Sequence, residues 1–556
     1  MPHANNKKSR LELVVSHHTL PDLGTQRIDE LLRRSAERHP DSTALSALGR
    51  DISYQQLWEL SGAVQSWLLQ QKLPAGARIA VALPNMLAHP IACLGIIRAG
   101  FTAVCVNPLY SAEELEHSFR DSDVQAVFLF EPMCESVAAA MQQAGVKRAI
   151  RVSPGDQLGW KRPLVNWVAR KRMGYKSVAI QGGVSWQQVI RTRPGPTPAI
   201  SQDAEHPAVM IYSGGTTGQP KGVPISHKAM IYNVAQQMDA LRGHLADVKD
   251  GDYVLLLAVP LYHILGLGNL LFTLARGGKA VLVMNPRDSK AFVREWSRHA
   301  ISSFPAVNTL FNGLLETSGF ETLDFSHLRL CIGAGMPVSA GTATRWLQTT
   351  GCHITEAYGM TETGLISCNP PGASRAGSVG KPVSGIEISL RDDNDKPVSI
   401  GEGEICVRSE AIMGGYWQRP DENAVAFTAD GYFRTGDIGS FDCDGYLSLV
   451  DRKKEMIISA GFKVFPSEVE RVINAHPGVL ESAVVAAPDP RSGEVPVAYV
   501  VRRQPALEAP HLLEHCAKHL ANYKRPRRII FRDELPKSNV GKILRKVLAN
   551  EQEKRE

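Results

Sequence analysis

The first part of the chain alternates short apolar runs with helical stretches, and this rhythm limits the folds open to it. The apolar runs at residues 78–83, 101–106 and 124–130 have the length of buried strands, and residues 111–121 between two of them have helical character. Strands that alternate with helices form parallel sheets covered by helices. The sequence therefore predicts an α/β fold, with a doubly wound layer over roughly the first 200 residues.

Further units are indicated downstream. A second sheet region is predicted by the apolar runs at residues 253–259, 280–284 and 328–333. Beyond residue 378 the strands become shorter and turns more frequent, which indicates a small β-rich, barrel-like unit. The charged segment Asp451-Arg452-Lys453-Lys454-Glu455 then breaks the pattern. We therefore expect a large domain over residues 1–450, built of two doubly wound αβαβα-type subdomains and the barrel-like unit.

The residues after the charged segment predict a compact α+β domain of βαβ type over 451–556. The elements expected there are a helix near 466–475, strands near 483–487 and 498–502, and a helix near 507–520. Near the start of the chain, Ser53 and Gln56 have the spacing of a capping box and predict a helix that begins between them. The sequence thus predicts one helix start near residue 53 and a separate domain after residue 450.

Length and composition exclude several classes of protein. A chain of 556 residues has material for several folding units, and a net charge of +6 is too small to imply nucleic acid as a partner. The nine cysteines are scattered without a C-x-x-C pair, which argues against a disulfide framework or a zinc site and fits a reducing compartment. The N-terminal residues 1–23 lack an apolar core, so no secretory signal is expected and the cytoplasm is the predicted location.

Two segments leave a membrane contact open. Residues 255–275 carry no formal charge over a length that can span a bilayer, but Pro260 and the glycines after it favour a strand, a loop and a buried helix. Residues 155–176 combine Trp160 and Trp167 with six cations, which is typical of a segment at an anionic membrane surface. The alternative for this second segment is a basic surface helix that packs through its tryptophans.

Residues 212–223, Tyr-Ser-Gly-Gly-Thr-Thr-Gly-Gln-Pro-Lys-Gly-Val, have the composition of a phosphate-binding loop. The glycines let backbone N–H groups approach an anion, and the hydroxyls and Lys221 supply further donors and positive charge. The nucleotide-hydrolase pattern G-x-x-x-x-G-K-[ST] does not match, because Pro220 precedes Lys221 and Gly222 follows it. A flexible loop without a ligand is the alternative.

Two more stretches rich in small residues, 333–337 and 354–364, follow or end strands of the second sheet region. Because ligands bind outside the carboxyl ends of strands in open α/β sheets, we expect these stretches to face one cleft with the glycine-rich loop. Tyr358 offers a ring that can stack on a base, and Thr361 and Glu362 offer the hard oxygens that Mg²⁺ prefers. The sequence therefore predicts a nucleotide site in this cleft.

The motifs stand in the order found in a known family. Together they resemble the adenylate-forming superfamily of acyl-CoA synthetases, luciferases and peptide-synthetase adenylation domains, at residues 212–223, 358–364, 432–437, 451–470 and 536–542. Residues 260–263, 307–312 and 160–176 are most similar to bacterial long-chain fatty acyl-CoA ligases. Peptide-synthetase domains usually carry an aspartate near His263, and no acid lies between Tyr253 and Ala275. An amino-acid substrate is therefore disfavoured.

The resemblance implies a two-step reaction that uses ATP, Mg²⁺ and CoA. A fatty carboxylate attacks the α-phosphorus of ATP to give acyl-AMP and pyrophosphate, and the CoA thiol then displaces AMP. The residues implied to bind ATP and AMP are Ser213, Gly214, Gly215, Thr216, Thr217, Gly218, Lys221, Gly333, Ala334, Gly335, Glu356, Tyr358, Gly359, Thr361, Asp437 and Arg452. Thr217 and Glu362 are implied in catalysis, and Glu362 is the implied Mg²⁺ ligand.

The resemblance also implies that the C-terminal domain moves and carries the catalytic Lys542. Lys542 would bridge the carboxylate and the α-phosphate during adenylation, and rotation at the hinge residue Asp451 would then withdraw it. The residues implied to reach CoA after that rotation are Gly461, Phe462 and Lys463. The residues implied near the acyl chain are Tyr262, His263, Gly266, Gly268 and Phe311.

Other functions stay open. A medium-chain or aryl-CoA ligase fits the same motifs, as does an acyl-AMP ligase that serves a separate carrier protein. A noncatalytic sensor of acyl groups or nucleotides is the alternative of another class, but it would not need Lys542. The resemblance further suggests a peripheral contact with the inner membrane surface and a homodimer, and it gives no role to nucleic acid.

Overall fold

The structure is a computed structural model that describes residues 14–15, 19–175, 180, 182–193, 195, 203–213, 220–375, 377–537 and 543–553. Up to residue 213 its strands are β1 (Val14–Val15), β2 (Thr43–Ala47), β3 (Arg50–Ser53), β4 (Arg78–Ala82), β5 (Thr102–Cys105), β6 (Val124–Phe130), β7 (Ala149–Val152), β8 (Gly183–Ser185) and β9 (Pro207–Ser213). The helices of this part are α1 (Ile28–Arg38), α2 (Tyr54–Gln70), α3 (Ala88–Arg98), α4 (Ala112–Asp121), α5 (Cys134–Ala144), α6 (Arg162–Met173) and α7 (Trp186–Ile190).

The middle of the chain continues the alternation. Its strands are β10 (Lys221–Ser226), β11 (Val254–Leu257), β12 (Lys279–Leu282), β13 (Ser303–Ala306), β14 (Leu330–Gly333), β15 (Ile354–Met360), β16 (Gly364–Cys368) and β17 (Lys381–Pro382). Its helices are α8 (His227–Ala240), α9 (Ile264–Ala275), α10 (Ser289–Trp296), α11 (Asn308–Leu315) and α12 (Ala340–Thr350).

The remaining elements complete the chain. The strands are β18 (Glu387–Arg391), β19 (Glu402–Arg408), β20 (Phe433–Phe441), β21 (Leu447–Arg452), β22 (Ile457–Ser459), β23 (Phe462–Val464), β24 (Val479–Asp489), β25 (Gly493–Arg502) and β26 (Arg528–Arg532). The helices are α13 (Pro420–Ala426), α14 (Pro466–Asn474), α15 (Ala509–His519) and α16 (Arg545–Glu553).

The first sheet has the strand order β10-β9-β5-β4-β6-β7-β8 and is parallel except for β10, which pairs antiparallel with β9. The predicted strands at residues 78–83, 101–106 and 124–130 all lie in it. Their side chains are almost entirely buried, since helices cover the sheet. This α/β layer confirms the predicted fold class.

The second sheet has the order β17-β16-β15-β14-β13-β11-β12-β2-β3 and is parallel from β15 to β2. The hairpin of β2 and β3 belongs here, because β2 pairs with β12 at Ala280 and Leu45. The expectation of one layer over roughly the first 200 residues is therefore wrong for this hairpin. Both strands are short, and their partner lies far along the chain.

Two smaller sheets follow. One is antiparallel, in the order β1-β18-β19-β20-β21, and it matches the predicted barrel-like unit. The other has the order β23-β22-β25-β24, with β26 parallel to β25. Its main feature is a long antiparallel hairpin of β24 and β25, which the sequence did not predict. Strand β25, helix α15 and the parallel strand β26 form the expected βαβ arrangement. The turn at Arg491 and Ser492 joins two strands that the sequence predicted to be separate and shorter.

The uncharged segment at 255–275 forms β11, a loop and the buried helix α9, as predicted. In the part of the chain that the structure describes, no helix has the length and apolar character needed to cross a bilayer.

The predicted capping box at the start of α2 is confirmed. The Ser53 hydroxyl accepts a hydrogen bond from the Gln56 amide, and the Gln56 side chain accepts one from the Ser53 amide.

Candidate functional site

The glycine-rich loop follows β9 and leads into β10, at the carboxyl end of the first sheet. Ser213 and residues 220–222 are described, whereas Gly214, Gly215, Thr216, Thr217 and Gly218 lie outside the described residues. The end of the loop at β10 is held by residues from distant elements. His117 Nε2 lies 2.9 Å from the Pro220 carbonyl oxygen, and the Trp417 amide donates to the Gly222 carbonyl at 2.9 Å. The loop connects two strands that pair with each other at Ser213 and Lys221.

Lys221 points into a partly buried environment beside residues that the sequence did not single out. It forms an ion pair with Glu422, and its ammonium group lies 4.9 Å from the centroid of the Tyr416 ring. Burial lowers the pKa of Lys221, and the nearby cation Lys454 lowers it further. A polyanion bound at this loop would offset the positive charges of both Lys221 and Lys454.

Glu362 is a buried carboxylate at the turn between β15 and β16. Its side chain accepts a hydrogen bond from the Tyr416 hydroxyl at 3.2 Å, and the residue is 6% exposed. Burial raises the pKa of Glu362, against the opposing hydrogen bonds of Tyr416 and Ser213 and the charge of Arg452. A carboxylate with spare lone pairs in a dry site fits a hard cation such as Mg²⁺, and the buried Thr361 beside it offers a second oxygen.

Asp437 lies in β20 and faces two other predicted site residues. The Tyr358 hydroxyl donates to Asp437 Oδ2 at 2.6 Å, and Arg452 Nε lies 3.3 Å from Asp437 Oδ1. Arg452 stands beside Asp437 because β20 and β21 are antiparallel neighbours that pair at these two positions. The charge of Arg452 also acts on Glu362. Residues from β15, β20 and β21 thus meet at one place.

The small residues at the strand ends are required by close packing. A Cβ atom at Gly333 would lie 2.6 Å from Val338 Cγ2, and one at Gly359 would lie 2.2 Å from the Gly364 carbonyl oxygen. Glu356 accepts a hydrogen bond from the Val338 amide at 3.1 Å, which holds the segment after β14 against β15. Ala334 and Gly335 lie in that segment, where the adenine-binding role was predicted.

The loop that carries Tyr262 and His263 is fixed by a residue from the other sheet. Asn85 follows β4, is 4% exposed, and donates to the carbonyls of Leu257 and Val259 at 3.1 and 2.9 Å. The side-chain oxygen of Asn85, Oδ1, accepts a hydrogen bond from the Leu261 amide at 2.8 Å. Asn85 was not predicted from the sequence, because nothing local marks it as different from a loop asparagine.

Tyr262 and His263 are partly buried, and burial raises the pKa of Tyr262 to about 12. The other predicted acyl-binding residues have packing contacts instead of open space. A Cβ at Gly266 would meet the Pro260 carbonyl oxygen at 2.1 Å, and one at Gly268 would meet Gln237 of α8 at 3.3 Å. These glycines allow close approach of neighbouring backbone and helix, which is the packing alternative to a tunnel.

Phe311 also lies in a packed environment. Its ring centroid is 4.7 Å from that of Trp346 and 5.5 Å from that of Phe304, and its side chain is 0% exposed. The cluster covers one face of the second sheet. The structure thus gives Phe311 a place in the core.

The predicted hinge residue, Asp451, lies in β21, one residue before the end of that strand. Its carboxylate accepts hydrogen bonds from the Ser467 amide at 2.7 Å and from the Arg452 amide at 2.8 Å, and burial raises its pKa. Lys542 lies outside the described residues, but Arg545, three residues later, binds Glu470 in a bidentate ion pair and also contacts Glu455. The chain that follows the predicted hinge residue is thus tied to the start of α16.

The predicted CoA-binding residues form the hairpin of β22 and β23. Gly461 has a φ of +82°, which the tight turn requires, and Phe462 is 55% exposed and stacks on Tyr523 with ring centroids 4.6 Å apart. Lys463 forms an ion pair at 2.9 Å with Asp393, which lies in the loop between β18 and β19. In this structure the hairpin therefore contacts the barrel-like unit through Lys463.

The basic and aromatic segment forms α6 and the turn before it. Trp160 is 85% exposed and Trp167 is 60% exposed, so the helix does not pack through its tryptophans as the alternative required. Two of its cations hold buried acids instead: Arg162 pairs with Asp156 and Arg170 pairs with Glu131. The tryptophans are left on the surface beside Lys161 and Lys171, whose ammonium groups lie 5.8 and 5.2 Å from the ring centroids.

Comparison with known proteins gives concordant matches. The family model of AMP-binding enzymes matches residues 32–417, and that of the AMP-binding enzyme C-terminal domain matches residues 468–542. The chain is 40% identical over 544 residues to a long-chain-fatty-acid–CoA ligase of Salmonella typhimurium, which covers 95% of this chain and 94% of that ligase. 

Solved structures agree with this similarity. ATP-bound MatB from Rhodopseudomonas palustris superposes with a TM-score of 0.82 at 28% identity, over 95% of this chain and all of that one. A Mycobacterium tuberculosis fatty acyl CoA synthetase gives a TM-score of 0.73 at 26% identity, over 96% of this chain and all of the other. The matches extend over both the large domain and the C-terminal domain.

Proposed function

Since the chain belongs to the family of AMP-binding enzymes, we propose that it converts a long-chain fatty acid to its CoA thioester, with ATP cleaved to AMP and pyrophosphate. The observation that carries the proposal is the meeting of Lys221, Glu362, Arg452 and Asp437 at the carboxyl ends of two sheets. The preference for long chains is supported by the relative at 40% identity, which is a long-chain ligase.

The first step places a carboxylate next to a polyphosphate, so the site must offset negative charge. Lys221 and the loop amides supply positive charge at the phosphates, and Arg452 supplies it beside Asp437. Asp437 is oriented by Tyr358 and is suited to accept hydrogen bonds from ribose hydroxyls. Lys221, Asp437 and Arg452 lie in strands, so these three side chains need little rearrangement as charge develops on the α-phosphate.

Glu362 and Thr361 would hold Mg²⁺ in this cleft. When bound, Mg²⁺ neutralises phosphate charge and helps to orient the leaving pyrophosphate. The hydrogen bond from Tyr416 keeps the Glu362 carboxylate facing the cleft. Lys542 of the C-terminal domain would act at the α-phosphate in the adenylation state, and the hairpin with Gly461, Phe462 and Lys463 would replace it for thioester formation. The glycine turn, the exposed ring and the cation of that hairpin support this role.

The experiment that tests the proposal is ATP- and CoA-dependent thioester formation by the purified protein with saturated acids of medium to long chain, aryl acids and amino acids. Because each buried CH₂ contributes ~0.8 kcal/mol, we expect kcat/KM to rise with chain length until the site is filled. Pyrophosphate release without a thioester would favour a carrier-protein acceptor. Absence of pyrophosphate release with every acid would refute the proposal in favour of a sensor.

We also propose that the exposed face of α6 and its preceding turn contacts an anionic membrane surface. The proposal is supported by two exposed tryptophans beside cations, which suit the boundary between headgroups and acyl chains. Because Arg162 and Arg170 hold buried acids, the test uses a double variant, Trp160→Ser with Trp167→Ser, in flotation with phosphatidylglycerol vesicles. The matched control removes two other exposed apolar side chains, Ile400→Ser with Val425→Ser.

We expect the tryptophan variant to lose vesicle binding and the control to keep it. Equal binding by both variants would refute a contact through α6.

A cytoplasmic location is supported by the nine cysteines, which are all described and none of which forms a disulfide. The homodimer stays a prediction, which light scattering on the purified protein tests.

A further inference from the structure

A second cluster of chemically reactive side chains lies between the first sheet and a helix that covers it. The proposed reaction does not use this cluster. His89 and Cys93 are one turn apart on α3, and Cys105 is the last residue of β5, against which α3 packs. The three side chains are 0%, 1% and 1% exposed. A histidine and two cysteines are therefore enclosed together in the core.

His89 has one ring nitrogen in use and one without a partner. Nδ1 lies 2.8 Å from the Leu83 carbonyl oxygen, and because a carbonyl only accepts, Nδ1 carries the proton. Nε2 is then left with its lone pair, and it has no hydrogen-bond partner among the described residues although it is buried. An N–H bonded to a backbone carbonyl, with the other nitrogen free, is the arrangement that orients a metal-binding histidine.

The two thiols have the separation expected of ligands to one ion. Cys93 Sγ and Cys105 Sγ are 3.9 Å apart, and two sulfur ligands of tetrahedral zinc, each ~2.3 Å from the ion, stand about 3.8 Å apart. A disulfide would need the sulfurs to approach to ~2.05 Å. One ligand atom from each of the three residues lies within 4.8 Å of the others.

We propose that His89, Cys93 and Cys105 form a buried site for a borderline-soft divalent ion, and that this ion is zinc. Two thiolates and a neutral imidazole give a complex with Zn²⁺ that has no net charge, which lowers the cost of burying the ion. The ion would join α3 to β5, and Cys105 pairs with Ile211 of β9, the strand that leads into the glycine-rich loop. The site does not depend on the proposed acyl-CoA ligase activity.

The test measures the zinc content of the full-length protein, purified without chelators and then dialysed against a weak chelator. We expect about one ion per chain in the parent and background levels in Cys93→Ser, Cys105→Ser and His89→Gln. The matched control is Cys516→Ala, which removes an equally buried thiol of the C-terminal domain and should leave zinc content unchanged.

A second measurement uses the unaltered protein, so the test does not depend on whether a core variant folds. Titration of its thiols with a mercurial should release the ion to a chromophoric chelator, and refolding with cobalt should produce the absorption of a cobalt–thiolate bond. A parent that stays free of metal after refolding with excess zinc would overturn the proposal. Detection of a Cys93–Cys105 disulfide by mass spectrometry would overturn it in favour of a redox pair.

Discussion

Single hydroxyl groups orient the two acids of the nucleotide cleft. Tyr358 donates to Asp437 and Tyr416 donates to Glu362, and the two acids are 8% and 6% exposed. A hydrogen bond to a charged acceptor is roughly twice as strong as one between neutral groups, so each tyrosine fixes the direction of its partner's lone pairs. The acids are thus oriented before a substrate binds, which is the arrangement that electrostatic catalysis requires.

Replacement of Tyr358 by phenylalanine is expected to lower both stability and ATP affinity. The Tyr358→Phe variant keeps the ring but removes a 2.6 Å hydrogen bond to a buried carboxylate, which costs ~1–3 kcal/mol in the free energy of unfolding. The KM for ATP should rise because Asp437 loses its orientation. The matched control, Tyr446→Phe, removes a 2.8 Å bond to the Ala373 carbonyl, and an equal rise in KM there would contradict the assignment.

Glu362 should show opposite effects on stability and on activity. Burial raises its pKa, so the stability that this group contributes is present below the ordinary pKa of glutamate and is lost as the pH rises through the raised value. At neutral pH the Glu362→Gln variant, without Mg²⁺ and ATP, should therefore melt at a higher temperature than the parent. Pyrophosphate release should fall by ~10²-fold or more, because the ionised ligand is lost. A lower melting temperature in the variant at neutral pH would refute the argument.

Between elements, one buried side chain joins the two sheets beside the loop that is predicted to bind the acyl chain. Asn85 uses its amide nitrogen and oxygen on three backbone groups of residues 257–261, and these bonds determine where the loop with Tyr262 and His263 lies. Backbone groups left unpaired in a buried loop cost ~1–3 kcal/mol. The position of this loop thus depends on the first sheet as well as on its own strand.

We therefore expect Asn85→Ala to raise the KM for the fatty acid more than the KM for ATP. The variant should also lose ~1–3 kcal/mol of stability, as measured by denaturant unfolding. Asn474→Ala is the matched control, since it removes a side-chain hydrogen bond to Ser482 in the C-terminal domain. Parallel changes in both KM values for Asn85→Ala would indicate a general loss of packing.

The elements were predictable to a large extent, but their partners were not. Strands such as 124–130 could be read from local apolar runs, and the cleft residues Tyr358, Glu362 and Asp437 from their motifs. Asn85, Tyr416 and the cluster at His89 were missed because their partners lie on other elements. The absence of a C-x-x-C pair argued against a zinc site, yet helix α3 and strand β5 bring two distant thiols to 3.9 Å. Such proximity comes from topology, which local spacing does not encode.

At the scale of the whole molecule, the C-terminal domain is held to the rest by charged contacts around the predicted hinge. Lys453 pairs with Glu404 and Lys463 with Asp393, both acids of the barrel-like unit or its loops. Within the C-terminal domain, Arg545 ties α16 to Glu455 and Glu470. Exposed ion pairs contribute little to stability, so the ion pair of Lys463 with Asp393 can break at low cost if the domain rotates as predicted. We therefore expect the rotation to depend on the backbone at residue 451.

The hinge prediction is tested by comparing two substitutions at one position. Asp451→Ala removes the carboxylate that accepts from the Ser467 and Arg452 amides, and Asp451→Pro removes the same carboxylate and also fixes φ. If residue 451 is the pivot, both variants should retain acyl-AMP formation, measured as pyrophosphate release. Transfer to CoA should fall ~10-fold or more further in the proline variant than in the alanine variant, since a locked φ blocks the rotation that the second step needs. Equal losses of both half-reactions in the two variants would locate the pivot elsewhere, because the shared loss would then come from the carboxylate alone.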